Sequence, residues 1–560
     1  MDGVVVKQQQ GQVIERFEAP ITVKVILEEL RESGYRGHLI RESTQLRVPP
    51  PTVLVPGDVV VLVEKRPREP SWFDEHDGLP SASAFAKDVA EMKKQLGKHD
   101  PVYDLGRNSA PMPLVLAHEA FAGYVQALDS HRLDVKDWTF VSRMMAMSGY
   151  FDQDVDRQAE LLQCWKLFFE QNWPGKFKLT SSREPDILIQ ALVGGEWITV
   201  GIVVVKNEVG LGGEPCVESL KHYGSHATSR MRDMHWSYWT SCLPVLILEV
   251  VGPTIRVGGA IFHDSPGYEP FTPYLHMLKF LQDDEYLTRL ARAIVAFPPA
   301  IVSISAFYAA LAPMQPTQSY SERAVEAWWP SLLIAEKQRH PGLEVSQFTR
   351  QVYQRTEKRL IFLLKYSTGE ERLMKFSQRY GADVHKAWSD AGFAPTFTIQ
   401  TLVNGWKAIS MEYYSPNTGW IPLNRLEPGP VNREHALDPS SWENCRQAVV
   451  KAYQSIHELY PYHVHGDLRK RNILFNLNSL KVAFVDFDWA GTSGDVRYPI
   501  FLNPNINWPQ GVQACHPILP VHDKELLKLD LNLELNLWTP LERLKPCQRP
   551  SGHGGVHCSG

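Results

Sequence analysis

The segment HGDLRKRNILFNLNSLKVAFVDFDWAG, residues 465–491, constrains the fold more strongly than any other part of the chain. Asp467 and Asn472 are separated by four residues, and a hydrophobic run ending at Val485 leads directly to Asp486. A short apolar run between polar positions is typical of a buried strand. The spacing therefore predicts a polar loop, then a buried strand, then a second polar position.

Phosphoryl transfer requires this set of side chains. One carboxylate orients the attacking hydroxyl or accepts its proton, while an amide and a second carboxylate hold Mg²⁺ against the β- and γ-phosphates. Because the transition state is loose and highly charged, positioning and cations supply most of the catalysis. The order of the residues favours phosphate chemistry over a purely structural loop.

The segment resembles the catalytic loop and the metal loop of the protein-kinase-like superfamily. The resemblance implies that Asp467 is the catalytic base, that Asn472 and Asp486 are metal ligands, and that ATP and Mg²⁺ are the cofactors. It also implies a two-lobed protein-kinase-like domain over 348–545. The amphipathic pattern at 442–460 fits the long helix that precedes such a catalytic loop.

Residues further upstream fit the same resemblance. The pattern LIFLLKYSTGEERLMKF, residues 360–376, predicts a hairpin with Lys375 on its second strand. The resemblance makes Lys375 the lysine that grips the nucleotide phosphates. The segment AISMEYY looks like the hinge strand, where the backbone groups of Glu412, Tyr413 and Tyr414 are implied to bind the adenine edge.

The chain departs from the usual kinase pattern at three places. The hairpin before Lys375 contains no G-x-G-x-x-G sequence and has only Gly369 in its turn. The next helix, DVHKAWSDAG, has no glutamate, so Asp383 or His385 would stand in beside the lysine. The middle residue of the catalytic loop is Gly466 rather than arginine, so control by phosphorylation of an activation loop is not expected.

The substrate class stays open because HGD also occurs in small-molecule kinases of the choline and aminoglycoside type. The wider pattern consists of RLMKFSQRYGADVHKAWSDAGFAP, MEYY, HGDLRKRNIL, VDFDWAG, RYP, NWP and PVHD, in this order over about 350–530. It resembles the fungal-type protein kinase group, and this resemblance implies that Asp523 caps a reduced C-terminal lobe. The function favoured is a Ser/Thr protein kinase with a protein as its substrate.

A second constellation lies in the middle of the chain. Asp186 opens one predicted strand, and the next predicted strand ends in VVVKNE with Lys206 and Glu208. The arrangement resembles metal-dependent nucleases of the PD-(D/E)xK type, in which carboxylates bind Mg²⁺ and the lysine steadies the attacking water. Val204 occupies the usual acidic position, which Glu208 could replace, and Glu218 follows on the next helix. We expect a restriction-endonuclease-like fold whose site is either active or degenerate. The alternative is a plain α/β domain with surface charges.

Together these patterns predict a multi-domain α+β protein. The expected regions are a ubiquitin-like β-grasp unit at 1–66, a linker and helical region at 67–172, an endonuclease-like α/β domain at 173–320, a linker at 321–347, the kinase-like domain at 348–545, and a disordered tail at 546–560. The combination resembles the Crinkler-type effector proteins of fungi and oomycetes. In that family the N-terminal unit is implied to act in secretion and entry into target cells.

The composition limits the partners and the cellular location that can be expected for the protein. A net charge of −5 excludes nucleic-acid binding by bulk charge alone, so nucleic acid is expected as a partner only through the middle domain. Seven scattered cysteines indicate a reducing environment, and no conventional signal peptide is present, so cytoplasm or nucleus is expected unless another route exports the protein. The uncharged run Ala293–Met314 is long enough to span a membrane, but Pro298 and Pro299 interrupt it. We expect a buried helix pair there and no membrane contact.

Three rival functions remain beside the protein kinase. HGD supports a small-molecule kinase. The missing glycine-rich loop and helix glutamate support a pseudokinase scaffold. Asp186 and Lys206 support a nuclease effector that uses the middle domain.

Overall fold

The computed structural model describes most of the chain from residue 112 to residue 533. The described residues are 4–8, 13–17, 21–22, 26, 37–41, 53–54, 59–64, 88, 90, 112–181, 186–207, 214–233, 242–262, 266–278, 283–311, 329–352, 355–428 and 435–533. Glu208, the tail expected at 546–560 and most of the expected linker before residue 112 lie outside them.

The architecture is mixed α/β and divides into two compact units. The first contains Met1–Pro341 with Gln351–Glu357, and the second contains Gly342–Arg350 with Lys358–Gly560. The β-grasp unit and the endonuclease-like domain expected from the sequence both fall within the first unit. The expected kinase-like domain falls almost entirely within the second.

The N-terminal strands form a small sheet with a parallel pair at its centre. Its strand order is β2-β1-β6-β4, in which β1 pairs with β6 in parallel and the outer pairs are antiparallel. The strands of this region are β1 Val4–Gln8, β2 Val13–Phe17, β3 Ile21–Thr22, β4 Gly37–Arg41, β5 Val53–Leu54 and β6 Val59–Glu64. The β-grasp assignment stays a prediction, because most of the helix expected there lies outside the described residues.

The middle of the chain builds a seven-stranded sheet. Its strands are β7 Phe177–Ser181, β8 Ile187–Val193, β9 Glu196–Lys206, β10 Val245–Val251, β11 Thr254–Phe262, β12 Pro266–Pro270 and β13 Leu275–His276. The order is β12-β11-β10-β9-β8-β7, with β13 paired to β11. Among the described strands of this sheet, β9 and β10 are the parallel pair, because a helical crossover connects them whereas short turns connect the antiparallel neighbours.

Helices surround this sheet and bury its central strands. They are α1 Leu114–Ala117, α2 Glu119–Ser130, α3 Val135–Met145, α4 Asp154–Asn172, α5 Pro215–Asp233, α6 Asp284–Val295 and α7 Phe297–Ala310. All seven residues of β10 are buried. A strand covered on both faces needs an uninterrupted apolar run, and VLILEVV supplies one with a single glutamate.

The run α6–α7 corresponds to the uncharged stretch noted in the sequence. Within the described residues, Asp284–Ala310 is the one helical run whose length and composition would allow it to cross a membrane. Of its most apolar window, 56% is buried inside the structure, and Phe297, Ile301 and Ile304 are wholly buried. This burial agrees with the helix pair expected from the sequence.

The stretch expected to be a linker at 321–347 contains ordered structure. Helix α8, Ser331–Arg339, lies within it, and the strand β14, Glu344–Val352, begins there. Trp329 and Leu333 are buried, and Lys337 lies over the Trp329 ring at 5.1 Å. Composition alone predicts a linker here, because the apolar side chains of this helix are spaced among many polar ones.

The second unit contains most of a five-stranded sheet of order β14-β15-β16-β18-β17, in which the pairs β15–β16, β16–β18 and β18–β17 are antiparallel. Its further strands are β15 Arg355–Lys365, β16 Glu371–Ser377, β17 Phe397–Thr401 and β18 Lys407–Glu412. Helix α9, Ala382–Asp390, connects β16 to β17. The hairpin predicted at 360–376 is present as β15 and β16, and β16 is the third strand in chain order.

The rest of the second unit is helical with short strand pairs. Its elements are β19 Trp420–Pro422, α10 Leu423–Leu426, α11 Pro439–Leu459, β20 His463–Val464, β21 Ile473–Asn476, β22 Val482–Phe484, β23 Gly491–Thr492 and α12 Pro520–Leu531. Helix α11 begins after the cap residue Asp438, whose side chain accepts the N–H groups of Ser440 and Ser441. One apolar core joins α9, α11, β21, β22 and α12, and so fixes the two polar loops on either side of the strand pair β21–β22.

Candidate active site

Lys375 lies near the centre of the five-stranded sheet. On β16 it pairs in register with Ile361 of β15 and Ile409 of β18, and its side chain is only 11% exposed. Its ammonium group donates a hydrogen bond to Asp486, and its Nζ lies 2.7 Å from Oδ1 of Asp488. A lysine that is almost buried thus meets two carboxylates from one short turn.

The turn that carries these carboxylates follows β22 and has an unusual backbone; we call residues 486–488 the metal turn. Asp486 has a φ of 71°, in the left-handed region that non-glycine residues seldom adopt. The next residue is fixed from the side, because the N–H of Gly381 donates to the carbonyl of Phe487 at 2.9 Å. Strained residues of this kind persist where the surroundings hold them, and they cluster at functional sites. The turn brings both Asp486 and Asp488 to Lys375.

Burial and charge act on these groups in opposite directions. Burial would lower the pKa of Lys375, but the nearby carboxylates of Asp486 and Asp488 outweigh it and raise that pKa. Burial also raises the pKa of Asp488, an effect that Lys375 opposes and that Asp486 strengthens. Lys375 therefore keeps its positive charge at neutral pH.

The loop before β21 holds Asp467 in a fixed position. Arg469 donates to both carboxylate oxygens of Asp467, with a distance of 2.6 Å from Nη2 to Oδ2. The Nδ2 atom of Asn472 donates to the Asp467 carbonyl at 2.8 Å and to its Oδ2 at 2.9 Å. These bonds use the amide nitrogen, so the Oδ1 atom of Asn472 takes no part in them. Oδ1 is an oxygen of the type that Mg²⁺ prefers.

The same loop is fastened to α12 by Asp523. Its Oδ2 accepts the N–H of His465 at 2.6 Å, and its Oδ1 accepts the N–H of Gly466 at 2.8 Å. Gly466 has a φ of 81°, and a Cβ atom there would lie 2.9 Å from a methyl group of Ile518. The backbone conformation and the close approach explain why glycine stands at this position.

His465 connects the loop to the strand before the metal turn. Its Nε2–H donates to the carbonyl of Val485 at 3.0 Å, and the N–H of Val485 donates to the carbonyl of Asn472 at 3.0 Å. Burial lowers the pKa of His465, although the nearby charges of Asp467 and Asp486 act to raise it. The two loops are therefore joined by hydrogen bonds on both sides of Val485, with a buried ring close to both carboxylates.

The predicted hinge lies at the end of β18. The backbone N–H groups of Glu412 and Tyr413 donate to backbone carbonyls of the neighbouring chain segments. In the part of the chain that the structure describes, no backbone carbonyl accepts the N–H of Tyr414. The ring of Tyr414 stacks on Trp420 with the centroids 4.4 Å apart. Of the three residues predicted here, Tyr414 therefore offers the backbone donor that an adenine edge could use.

His385 has a different role from the one predicted. Its Nδ1 lies 2.7 Å from the hydroxyl of Tyr380, and its Nε2–H donates to the carbonyl of Pro395 at 2.9 Å. The ring is sandwiched between Phe397 and Phe487, with centroid distances of 4.0 Å and 4.3 Å. Burial lowers the pKa of His385 to about 4, so the ring is neutral near pH 7. His385 is a core residue that joins α9 to the metal turn.

Asp383 is also not the partner of Lys375. Helix α9 begins at Ala382, so Asp383 lies in its first turn, and there it is exposed. The structure brings neither Asp383 nor His385 into contact with the lysine. The carboxylates that contact Lys375 come from the metal turn rather than from α9.

Two residues of this site, Arg469 and Asp488, are missing from the prediction. Each stands two positions after a predicted carboxylate, Arg469 after Asp467 and Asp488 after Asp486. The D-x-R and D-x-D spacings were a signal in the sequence. A spacing alone does not tell which way a side chain turns in a loop, and this decides whether it joins the site.

A polar cavity of about 290 Å³ lies beside the catalytic loop. Arg469, Lys470 and Arg471 line it together with residues of α12 and of the segment around residue 505. The Nζ of Lys470 lies 2.9 Å from a carboxylate oxygen of Glu427. The cavity is therefore suited to a hydrophilic group. Three of its lining residues follow Asp467 closely in the sequence.

The residues singled out in the middle domain also converge. Oδ2 of Asp186 accepts the N–H of Val205 at 2.7 Å, and Nζ of Lys206 lies 2.7 Å from Oε2 of Glu218. Burial raises the pKa of Asp186 to about 6, while the Val205 N–H and Lys206 act to lower it. Among the described residues no group of three or more His, Cys, Asp or Glu is arranged to hold a metal. Glu208 lies outside them.

Comparison with known proteins gives little beyond this geometry. No protein-family model matches the chain. No curated protein matches it either. Among solved structures, the chain is similar to the kinase PK-1 of Cydia pomonella granulovirus, with 15% sequence identity and a TM-score of 0.28, over 39% of this chain and 81% of that one.

Proposed function

We propose that this chain is an ATP- and Mg²⁺-dependent phosphotransferase of the protein-kinase type, acting on Ser or Thr hydroxyls of a protein. One observation carries the proposal: Lys375, from the third strand of an antiparallel sheet, meets the Asp486 turn, which is hydrogen-bonded to the loop holding Asp467 and Asn472. In protein kinases the phosphate-binding lysine is likewise on the third strand.

The residues of the catalytic loop would orient the acceptor hydroxyl. Asp467 would accept its proton as the oxygen attacks, while Arg469 and Asn472 hold the carboxylate in place. Lys375 would bind nucleotide phosphate oxygens from the sheet. Its low exposure strengthens that interaction, because charges interact more strongly where water is excluded.

The donor set around Asp486 fits Mg²⁺. Magnesium in such sites takes one or two protein oxygens and completes its shell with phosphates and water. Asp486 supplies a carboxylate, and Asn472 supplies an amide oxygen. When bound, the cation would neutralise charge that develops on the phosphates.

An exposed apolar pair supports a macromolecular substrate. Ile500 and Phe501 follow the metal turn in sequence, and their exposed fractions are 68% and 89%. Such side chains on the segment after the metal turn suit contact with a protein chain better than contact with a hydrophilic metabolite.

The proposal is tested by following phosphate transfer from labelled ATP to peptide pools and, separately, to metabolite pools. Asp467→Asn should lower the rate by about 10²- to 10⁴-fold, because the proton acceptor is lost while the shape of the loop is kept. Nucleotide affinity should change little. Asp495→Asn, at an exposed aspartate of the same unit, is the matched control and should transfer phosphate normally.

Other outcomes would reject or redirect the proposal. Equal transfer by wild type and Asp467→Asn would reject the catalytic assignment. Transfer to metabolites alone would replace a protein substrate by a small molecule, as in the choline and aminoglycoside kinases. Wild-type protein that gains no thermal stability from millimolar ATP and Mg²⁺ would indicate a pseudokinase scaffold.

A nuclease in the middle domain is the second candidate. The convergence of Asp186, Lys206 and Glu218 on one end of β8 and β9 favours it. The buried ion pair of Lys206 with Glu218 is also what a degenerate site would retain. Nicking of plasmid DNA in Mn²⁺ that disappears in Asp186→Ala would establish the nuclease, and the absence of nicking by the wild type would reject it.

A further inference from the structure

The lysine of the proposed site has two carboxylates, and they differ in surroundings. Lys375 contacts Asp486 and Asp488, whose side chains are 43% and 31% exposed. The metal-binding role proposed for Asp486 would draw on the same carboxylate that contacts Lys375 through Oδ1. A cation bound to that carboxylate would repel the ammonium, so a lysine with Asp486 as its sole partner would be held less firmly when the metal is bound.

Helix α9 cannot supply a replacement. Within the described residues its carboxylates are Asp383, which is exposed in the first turn, and Asp390, which pairs with Lys386 at 2.8 Å. The preceding residue, Gly381, lies so close to the segment after the metal turn that a Cβ atom would be 2.3 Å from the carbonyl oxygen of Ala490. The helix therefore begins too close to that segment for a side chain at residue 381.

We propose that Asp488 is the positioning residue of Lys375. It takes the role that a helix glutamate has in protein kinases and leaves Asp486 for Mg²⁺. The inference rests on the proposed function, because it assigns a partner within that same site. Nζ and Oδ1 lie 2.7 Å apart, so the two side chains form a close ion pair, which electrostatic attraction stabilises where water is largely excluded.

The charges of Lys375, Asp486 and Asp488 explain why this pairing would matter for nucleotide binding. One ammonium faces two carboxylates here, so a single positive charge is shared between two negative ones. Mg²⁺ bound by Asp486 would supply further positive charge, and Asp488 would keep its contact with Lys375. Asp488 acts only through Lys375, so its contribution must vanish when the lysine is absent.

The test measures the affinity for ATP and Mg²⁺ of the full chain by titration calorimetry, together with phosphate transfer. Asp488→Asn should weaken nucleotide binding by about 10- to 100-fold, because a largely buried ammonium loses one of its charged partners. Asp488→Glu should restore part of the affinity, which a merely structural role would not predict. Asp390→Asn, at the exposed carboxylate of α9, is the matched control and should stay within about twofold of the wild type.

A double-mutant cycle with Lys375→Met separates the possible roles of Asp488. The inference requires that Asp488→Asn costs nothing further once Lys375 is gone, and that the Mg²⁺ concentration for half-maximal binding is unchanged. An equal cost in both backgrounds, with a shifted Mg²⁺ requirement, would make Asp488 a second metal ligand and overturn the inference. Unchanged affinity in Asp488→Asn would overturn it as well.

Failure of the inference can be told apart from failure of the proposed function. Wild-type protein that binds no nucleotide rejects the function itself, before any variant is compared. If the wild type binds nucleotide and Asp488→Asn binds it with the same affinity, only the pairing is rejected. Circular dichroism of each variant shows whether a lost affinity reflects lost folding, and Asp488→Glu provides a second variant if Asp488→Asn does not fold.

Discussion

Asp523 is a fully buried carboxylate that supports the proposed site. It accepts two backbone N–H groups of the catalytic loop, from His465 and Gly466, and burial raises its pKa to about 7. The backbone bonds lower this pKa and the charge of Asp467 raises it. The residue therefore links the geometry of the loop to the protonation of a single buried group.

The shift at Asp523 has a definite sign. Between pH of about 3.8 and about 7 the folded state holds a proton that the unfolded state has released, so this group's contribution to stability falls as the pH rises. His385 acts oppositely, because its pKa is lowered to about 4 and the unfolded state binds the extra proton below about 6.5. Its contribution to stability rises with pH through that window.

We predict that Asp523→Asn lowers the free energy of unfolding by about 1–3 kcal/mol at pH 5, because both oxygens of the protonated carboxyl keep acceptor capacity for the two N–H groups, whereas the amide nitrogen has none. The difference from the wild type should shrink toward pH 8, since asparagine does not titrate. Urea unfolding of the full chain at pH 5, 6.5 and 8 measures both effects. A difference that grows with pH would contradict the assigned direction.

The sequence predicts which residues belong to this candidate site better than it predicts the contacts between them. Asp467, Asn472, Asp486 and Lys375 can be singled out because their residue types and spacing are visible without any structure. The ion pair of Lys375 with Asp488 cannot, because the left-handed φ of Asp486 decides where the next two side chains point. Aspartate adopts this conformation more often than most non-glycine residues, but the sequence does not show which aspartate of the segment does so.

At the scale of the element, α9 and the metal turn behave as one assembly. The N–H of Gly381 donates to the carbonyl of Phe487, and the ring of His385 lies against the ring of Phe487. The absence of a side chain at Gly381 lets the two backbones approach. The start of α9 thus sets the position of the turn that carries Asp486.

We expect Gly381→Ala to disturb the turn, because the new Cβ atom would meet the Ala490 carbonyl at 2.3 Å and backbone would have to move. Crowding of this kind costs about 1–3 kcal/mol. Thermal unfolding should show the loss, and affinity for ATP and Mg²⁺ should fall with it. Gly123→Ala, where nothing lies within 4 Å of the new Cβ, is the control and should not weaken binding. Full nucleotide affinity in Gly381→Ala would show that the turn is positioned by other contacts.

Elements with strong patterns could be predicted, and those with weak patterns could not. Apolar periodicity runs through the hairpin at 360–376 and the helix at 442–460, and these appear as β15–β16 and as α11. The strand β14 begins inside the expected linker. Its sequence, EVSQFTRQV, has few large apolar residues, so only its place in the sheet shows that it is a strand.

At the scale of the whole molecule, the two units divide the proposed chemistry. Lys375, Asp467 and Asp486 belong to the second unit, whereas Asp186 and Lys206 belong to the first. The cytoplasmic or nuclear location, export to a target cell and the Crinkler-type and fungal-type assignments remain predictions from the sequence. The units can nevertheless be tested separately within the full chain.

We predict that ATP and Mg²⁺ protect amides of the second unit from hydrogen exchange. Protection should rise at 465–472 and 482–488, because bound nucleotide suppresses local opening of the loops it contacts. The strand Val245–Val251 of the first unit should be unchanged. Mass spectrometry of peptides after exchange gives both readings in one experiment. Protection confined to the first unit would place the nucleotide site elsewhere.

The pairing of Lys375 with the metal turn bears on how a kinase of the proposed type could be switched. Protein kinases are commonly switched by moving the helix that carries the lysine's glutamate. In this chain α9 holds no such glutamate, and the ring of His385 lies against Phe487 of the turn, so a displacement of α9 would move the turn and its two carboxylates together.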